Sequence, residues 1–387
     1  MKNDIIIRNG KLIFPERGEI LKGDLRVKEE KIKEIIPSGK KMEYRGKKKV
    51  IEAEGFYVSP GFLDLQVNGG AGVDFLDPRA SGVRKFSDLW ASHGTTSFLA
   101  TIITNPIELM NESMRAIQSF DINNCLGFHV EGPFISNEKR GAHDENYIKP
   151  YSKKSFERLT EEVKESIEVH TFAPEVAKTP ELIRDLSSIH SVPSIGHTDA
   201  SYAECLKALG EGAKGFTHLY NAMKGFHHRV PGCVGAALDS EAYFGLVVDG
   251  HHVHPAGVRL ATRAEALDRV CLITDAISAS GMPPGKHTLG DRSIFVEEDV
   301  ARLPDGTIAG SVLTMDKAVK NTSEFTSLNL LEVVKMATLN PANFIGVGEN
   351  KGTLKQGTDA DLTVFDDQIR VEYTILGGEI AYERDGG

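Results

Sequence analysis

Cysteine is scarce in this chain. The four residues, Cys125, Cys205, Cys233 and Cys271, are widely spaced and form no C-x-x-C pair. That excludes a dense disulfide framework and a thiolate zinc site. Long apolar runs are also missing. The opening MKNDIIIRNG holds only three isoleucines before Arg8, too few for a membrane span or a secretory leader. There is no basic excess: 45 Lys and Arg against 55 Asp and Glu leave a net charge of −10. Nucleic acid and membrane are therefore not expected as partners, and the cytoplasm is the expected location. No G-x-G-x-x-G or Walker pattern opens a helix, which argues against a nucleotide-binding fold. What remains is a globular composition, 40% hydrophobic and 26% charged over 387 residues. It is ample for a buried core, and the length suits one large domain with a smaller companion.

The chain alternates. Short strand-like runs fill the first sixty residues and the last forty, which predicts a small β-sandwich domain built from 1–58 and 350–387. Between them, eight apolar runs recur near 61–67, 95–101, 124–131, 167–172, 191–197, 214–219, 243–249 and 270–275. Helical stripes separate several of them, among them Phe156, Leu159 and Val163, and Leu182, Ile183, Leu186 and Ile189. Leu330, Leu331, Val334 and Met336 predict a late helix stopped by Asn340-Pro341. This rhythm predicts an α/β fold, a (β/α)8 TIM-like barrel over 59–349, ahead of an open doubly wound sheet. Residues 281–310 carry no helical stripe and end in the turn signal Asp305-Gly306. They read as a β-hairpin inserted after the eighth strand, where a lid over the barrel mouth would lie.

Polar residues recur where the runs end: Gln66 and Asn68, then Glu131, His197, His218 and Asp275. In a parallel barrel all strand C-termini face one mouth. One strand-end histidine is an everyday hydrogen-bonding residue, but two histidines and two acids at four strand ends form a constellation. Glu131, His197 and His218 make a three-ligand set for a divalent metal with positions left open, and Asp275 is placed to act as a base on water.

The motifs HGTTSF (93–98), HVEGPF (129–134), KRGAH (139–143), GHTDA (196–200), THLYNAM (217–223), VVDGHHV (247–253), TDAIS (274–278) and AGSVLTM (309–315) run through the chain. With SPGFLDLQVNG (59–69) and the closing GTLKQGTDADLTVFD, the sequence resembles the N-acetylglucosamine-6-phosphate deacetylases, a branch of the amidohydrolase superfamily. The resemblance implies a metal-dependent barrel that removes the acetyl group of an amino-sugar phosphate. It implies Glu131, His197 and His218 as ligands of one Zn²⁺ or Fe²⁺, with Asp275 as general base and then acid. His143 would polarise the acetamide carbonyl. Asn221, Ala222, Arg229 and His252 would hold the sugar phosphate, with His252 arriving from the partner subunit of a homodimer. Gln66, Ala142, Ile308, Ala309 and Gly310 would line the substrate pocket.

Many superfamily members carry His-x-His at the end of the first strand and bind a second metal there. This chain has Gln66 and Asn68. Carboxamides are poor ligands for zinc-like ions beside imidazole, so one metal is predicted rather than two. The rivals are a mononuclear hydrolase of another N-acyl substrate, such as N-acetylgalactosamine 6-phosphate, and a non-catalytic sugar-phosphate binder. Such a binder would be expected to have lost a ligand or the base, and all four residues are present.

Overall fold

The computed structural model describes residues 4–39, 48–77, 82–120, 122–161, 163, 166–263, 267–290 and 292–384. Eight parallel strands form its centre: β1 (Phe62–Val67), β2 (Thr95–Ile103), β3 (Cys125–Glu131), β4 (Ile167–Phe172), β5 (Val192–Ile195), β6 (Gly215–Phe216), β7 (Tyr243–Leu246) and β8 (Val270–Leu272). They lie side by side in chain order. Just past β8, the Asp275 N–H donates to the Gln66 carbonyl at 2.9 Å and the Asn68 N–H to the Ala276 carbonyl at 2.7 Å. These bonds close the sheet into a barrel. Strands β1 and β2 are buried along their whole length, which explains their near-continuous apolar runs.

A helix follows each strand and lays its apolar stripe on the barrel. In Lys153–Thr160, the Ser152 hydroxyl caps the Ser155 N–H, while Phe156 and Leu159 face inward. Tyr202–Glu211 starts with a full capping box between Ser201 and Glu204, which satisfies two otherwise unpaired donors. One expected stop moves: the helix Leu330–Ala337 ends at Thr338, and Asn340-Pro341 lie in the first turn of the next helix, Leu339–Phe344. A proline there loses no hydrogen bond.

The second sheet takes strands from both ends of the chain. Asp4–Phe14 lies at its middle, antiparallel to Glu19–Lys28 and parallel to Tyr57–Pro60. Leu362–Phe365, Val371–Leu376 and Glu379–Glu383 join it through Tyr57–Pro60. Ile32 and Ile375, from opposite ends of the sheet, share one buried cluster with Leu12, Val58 and Leu362. The sheet therefore folds over its own core. It is tied to the barrel through Thr363 Oγ1, which donates to the Gly94 carbonyl, and Thr374 Oγ1, which donates to that of Ala91, each at 2.6 Å.

The insertion after β8 is larger than the predicted hairpin. Gly285–Leu289, Arg292–Glu297, Val300–Arg302 and Ile308–Ser311 form a four-stranded antiparallel sheet. The extra hairpin turns at Glu298 and Asp299, both in the left-handed backbone region at φ 50° and 62°. Neither residue is a glycine, so the turn carries little sequence signal. Two bonds pin this sheet down: the Gly290 N–H donates to Asp74 Oδ2 at 2.6 Å, and Arg292 donates to the Ala142 carbonyl at 2.8 Å.

Candidate active site

The barrel interior is polar just below its mouth. His129 of β3 meets Thr171 of β4 at 2.7 Å, Thr171 meets Thr217 beside β6 at 2.6 Å, and Ser194 of β5 meets Thr217 at 2.7 Å. The His129 Nδ1–H donates to the Leu65 carbonyl at 3.0 Å. This layer satisfies every member of the chain it forms and levels four strands under the site. Gly196 keeps the layer tight, because a Cβ there would lie 2.8 Å from Thr171 Cγ2 and 2.9 Å from Thr217 Cβ.

Above the layer, three predicted ligands converge. His218 Nε2 lies 3.0 Å from Glu131 Oε1 and 3.0 Å from His197 Nε2, and His197 Nε2 is 3.2 Å from the same carboxylate oxygen. All three residues are buried. His197 and His218 have φ 47° and 32°, and Asp275 has φ 50°. That left-handed backbone, costly for residues with a Cβ, is the kind of strain that collects at functional sites.

Tautomers separate ligands from donors. The His197 Nδ1 faces the Lys139 carbonyl at 2.8 Å. A carbonyl only accepts, so Nδ1 carries the proton and Nε2 turns a lone pair into the site. His143 is the reverse. The Thr104 N–H donates to its Nδ1 at 3.3 Å, which leaves Nε2–H as a donor, 3.5 Å from Glu131 Oε2. Glu131, His143 and His197 also present ligand-type atoms within 4.8 Å of one another. His143 is thus near enough to ligate, but its tautomer suits it to donate, whereas His218 Nε2 lies 3.0 Å from Glu131 Oε1. A carboxylate and two imidazole nitrogens in mutual contact, far from solvent, fit a divalent cation.

The charges agree. Burial alone would raise Glu131, but His197, His143 and His218 hold it well below the ordinary carboxylate range. Burial lowers His218, and the hydrogen bond and charge of Glu131 more than reverse this. Burial pushes His143 down to about 4, so it stays neutral. Asp275 is raised, first by burial and then by the nearby Glu131 charge. A raised carboxylate is a stronger base.

A cavity of about 420 Å³ opens over this cluster, lined among others by Glu138, Lys139, Ala142, Asn221, Ala222 and His252. Ile308 and Gly310 of the inserted sheet also line it, whereas the side chain of Ala309 is fully buried in the core. Gln66, expected to line the pocket, is instead buried beneath it and is not among the residues lining the cavity; its amide donates to Glu131 Oε1 at 3.0 Å and to Asp275 Oδ1 at 3.3 Å.

Two phosphate candidates fall differently from the expectation. His252, expected to reach a partner's site, lines the cavity of its own chain. Asp249 fixes it there, taking the His251 and His252 N–H groups on Oδ1 and the ring Nδ1–H on Oδ2 at 2.6 Å. Arg229 is exposed and outside that cavity, with its guanidinium 2.7 Å from His228 Nε2. The sequence reading passed over Asn68, Thr104, Lys139 and Asp249 as site residues. Lys139 and Asp249 stand inside quoted motifs, and Asn68 stood in view only as a lost metal ligand.

Glu131, His197 and His218 meeting at strand ends beside the half-buried Asp275, in a (β/α)8 barrel, fit a metal-dependent hydrolase, and the chain belongs to the amidohydrolase family, whose model matches residues 57–381. Within that family it falls among the N-acetylglucosamine-6-phosphate deacetylases. The human enzyme of that name is 34% identical over 401 aligned positions, covering 100% of this chain and 93% of its own. The Pasteurella multocida structure superposes with a TM-score of 0.91 at 31% identity, covering 97% of this chain and 99% of that one. A variant of the Mycobacterium smegmatis enzyme, in complex with N-acetyl-D-glucosamine-6-phosphate, gives 0.90 at 28% identity, covering 98% and 99%. Among the described residues, no helix is long and apolar enough to cross a membrane.

Proposed function

We propose that this chain hydrolyses the acetamide of N-acetyl-D-glucosamine 6-phosphate to D-glucosamine 6-phosphate and acetate. The observation that carries the reading is the convergence of Glu131, His197 and His218 at 3.0–3.2 Å beside the half-buried Asp275. These three residues would hold one Zn²⁺ or Fe²⁺. The ion supplies Lewis acidity at the amide carbonyl and lowers the pKa of water to ~7.

The chain's own groups do the rest. Asp275 takes the proton from the attacking water and returns it to the departing nitrogen as the C–N bond breaks. The Nε2–H of His143 hydrogen-bonds the oxyanion that develops on the carbonyl oxygen. His252 and the backbone near Asn221 and Ala222 face the sugar phosphate. Ala142, Ile308 and Gly310 wall the acyl-sugar end, and Gln66 bridges ligand and base.

Arg229 serves a neighbouring copy's site in a homodimer. It lies outside its own cavity, on a loop that exposes Phe226 by 64% and Val230 by 52%. The four free cysteines suit a reducing cytoplasm.

Acetate release from the phosphorylated sugar, its unphosphorylated form and the galacto epimer tests the reading, with Asp275→Asn alongside. Fast release from the gluco phosphate, lost in the variant by roughly 10²–10⁴-fold, is expected. Equal rates with and without phosphate, or an active Asp275→Asn, would sink it. Preference for the galacto epimer would move the substrate assignment and keep the mechanism.

A further inference from the structure

The two carboxamides that replace the superfamily histidines converge on one oxygen of the base. Asn68 Nδ2 donates to Asp275 Oδ1 at 2.8 Å, and Gln66 Nε2 reaches the same oxygen at 3.3 Å. Among the described residues, no hydrogen bond reaches the other oxygen, Oδ2. Asn68 is 95% buried, being 5% exposed, and it lines the cavity. Its backbone is held on both sides: its N–H donates to the Ala276 carbonyl at 2.7 Å, and its carbonyl accepts from the Phe75 N–H at 3.0 Å. Asp275 is held as firmly. Its N–H donates to the Gln66 carbonyl at 2.9 Å and its carbonyl accepts from the Ser311 N–H at 2.8 Å.

We infer that Asn68 is a positioning residue for the base: its carboxamide pins Oδ1 of Asp275, so that Oδ2 is the oxygen that exchanges the proton. This rests on the deacetylase reading above. A carboxylate held only through its backbone rotates about its last torsion, and either oxygen can then point at the water. A charge-assisted N–H bond at 2.8 Å selects one rotamer. Gln66 holds that oxygen less closely, at 3.3 Å, while its other N–H serves Glu131 Oε1 at 3.0 Å. Gln66 thereby couples ligand to base, and Asn68 orients the base.

The test is steady-state acetate release from N-acetylglucosamine 6-phosphate by enzyme of measured metal content. It compares wild type, Asn68→Ala, the similarly sized non-donor Asn68→Leu, Asp275→Asn and the Asn68→Ala/Asp275→Asn double variant. Both Asn68 variants should lose kcat by about 10–100-fold, the usual scale for a misoriented catalytic group. KM should stay within about twofold and metal content unchanged, because the interaction concerns the base and not ground-state binding. In the Asp275→Asn background, Asn68→Ala should cost nothing further, because a residue acting only through Asp275 has nothing left to position.

Two results would overturn the inference with the deacetylase reading intact. One is Asn68→Leu close to wild type, which would make Asn68 a packing residue. The other is a full independent loss in the double variant. A wild-type enzyme that releases no acetate would strike the deacetylase reading itself and take this inference with it.

Discussion

Replacing His170 by phenylalanine should remove part of the protein's sensitivity to acid. His170 lies on β4, wholly buried, with its ring stacked on Phe134 at 5.7 Å between centroids and 10° between planes. Neither ring nitrogen has a hydrogen-bond partner among the described residues. Burial pushes its pKa from 6.5 down to about 3, with the nearby His129 adding to the effect. The folded state therefore keeps this ring neutral, while an unfolded chain charges it below pH 6.5. Its contribution to stability is complete above pH 6.5 and shrinks as pH falls toward 3. At pH 5, some 1.5 units below the unfolded value, the loss is about 2 kcal/mol at ~1.36 kcal/mol per unit. His170→Phe keeps the stack and cannot bind the proton. Urea unfolding at pH 8 and pH 5 should show a drop in stability about 2 kcal/mol smaller in the variant than in wild type. An equal drop in both proteins would refute the assignment of that proton uptake to His170.

Metal analysis should return one equivalent per chain, and chelation should abolish activity until Zn²⁺ or Fe²⁺ is restored; two equivalents, both needed, would overturn the single-ion site. Arg229→Ala should raise KM for the phosphorylated sugar by about tenfold or more, the scale of a lost charge-assisted contact, and leave the unphosphorylated sugar nearly unchanged. An equal loss for both sugars would remove Arg229 from phosphate recognition. Asn329 caps the Glu332 N–H at 3.0 Å, so Asn329→Ala should cost about 1 kcal/mol in urea unfolding with turnover unchanged. A variant as stable as wild type would mean that the capping box contributes nothing there.

The barrel was legible in the sequence because buried parallel strands write themselves as apolar runs, and all eight expected runs hold a strand. The convergence of Glu131, His197 and His218 was legible for a related reason: a strand-end position fixes which mouth a side chain faces. Two kinds of feature escaped. The inserted sheet hid its middle turn, because Glu298 and Asp299 take left-handed geometry without glycine. Relations across space also escaped. No spacing shows that Asp249 clamps His252 into its own cavity, that Arg229 lies outside it, or that Ala309 faces the core while its neighbours Ile308 and Gly310 line the cavity. Asn68 escaped for a chemical reason: a carboxamide is judged by what it fails to ligate, and its donation to Asp275 appears only once the barrel closes.

That closure bears on how the enzyme comes into being. Asn68 and Asp275 are 207 positions apart and meet only where the first strand joins the end of the last. During synthesis Glu131, His197 and His218 all emerge before the base exists. The final pairing of strand ends both completes the barrel and assembles the proton-transfer apparatus. A nascent or truncated chain can thus carry Glu131, His197 and His218 and still lack the carboxylate that this reading makes the base. Activity is in effect a checkpoint on complete folding, and partial opening of this join should silence the enzyme well before the rest of the barrel melts.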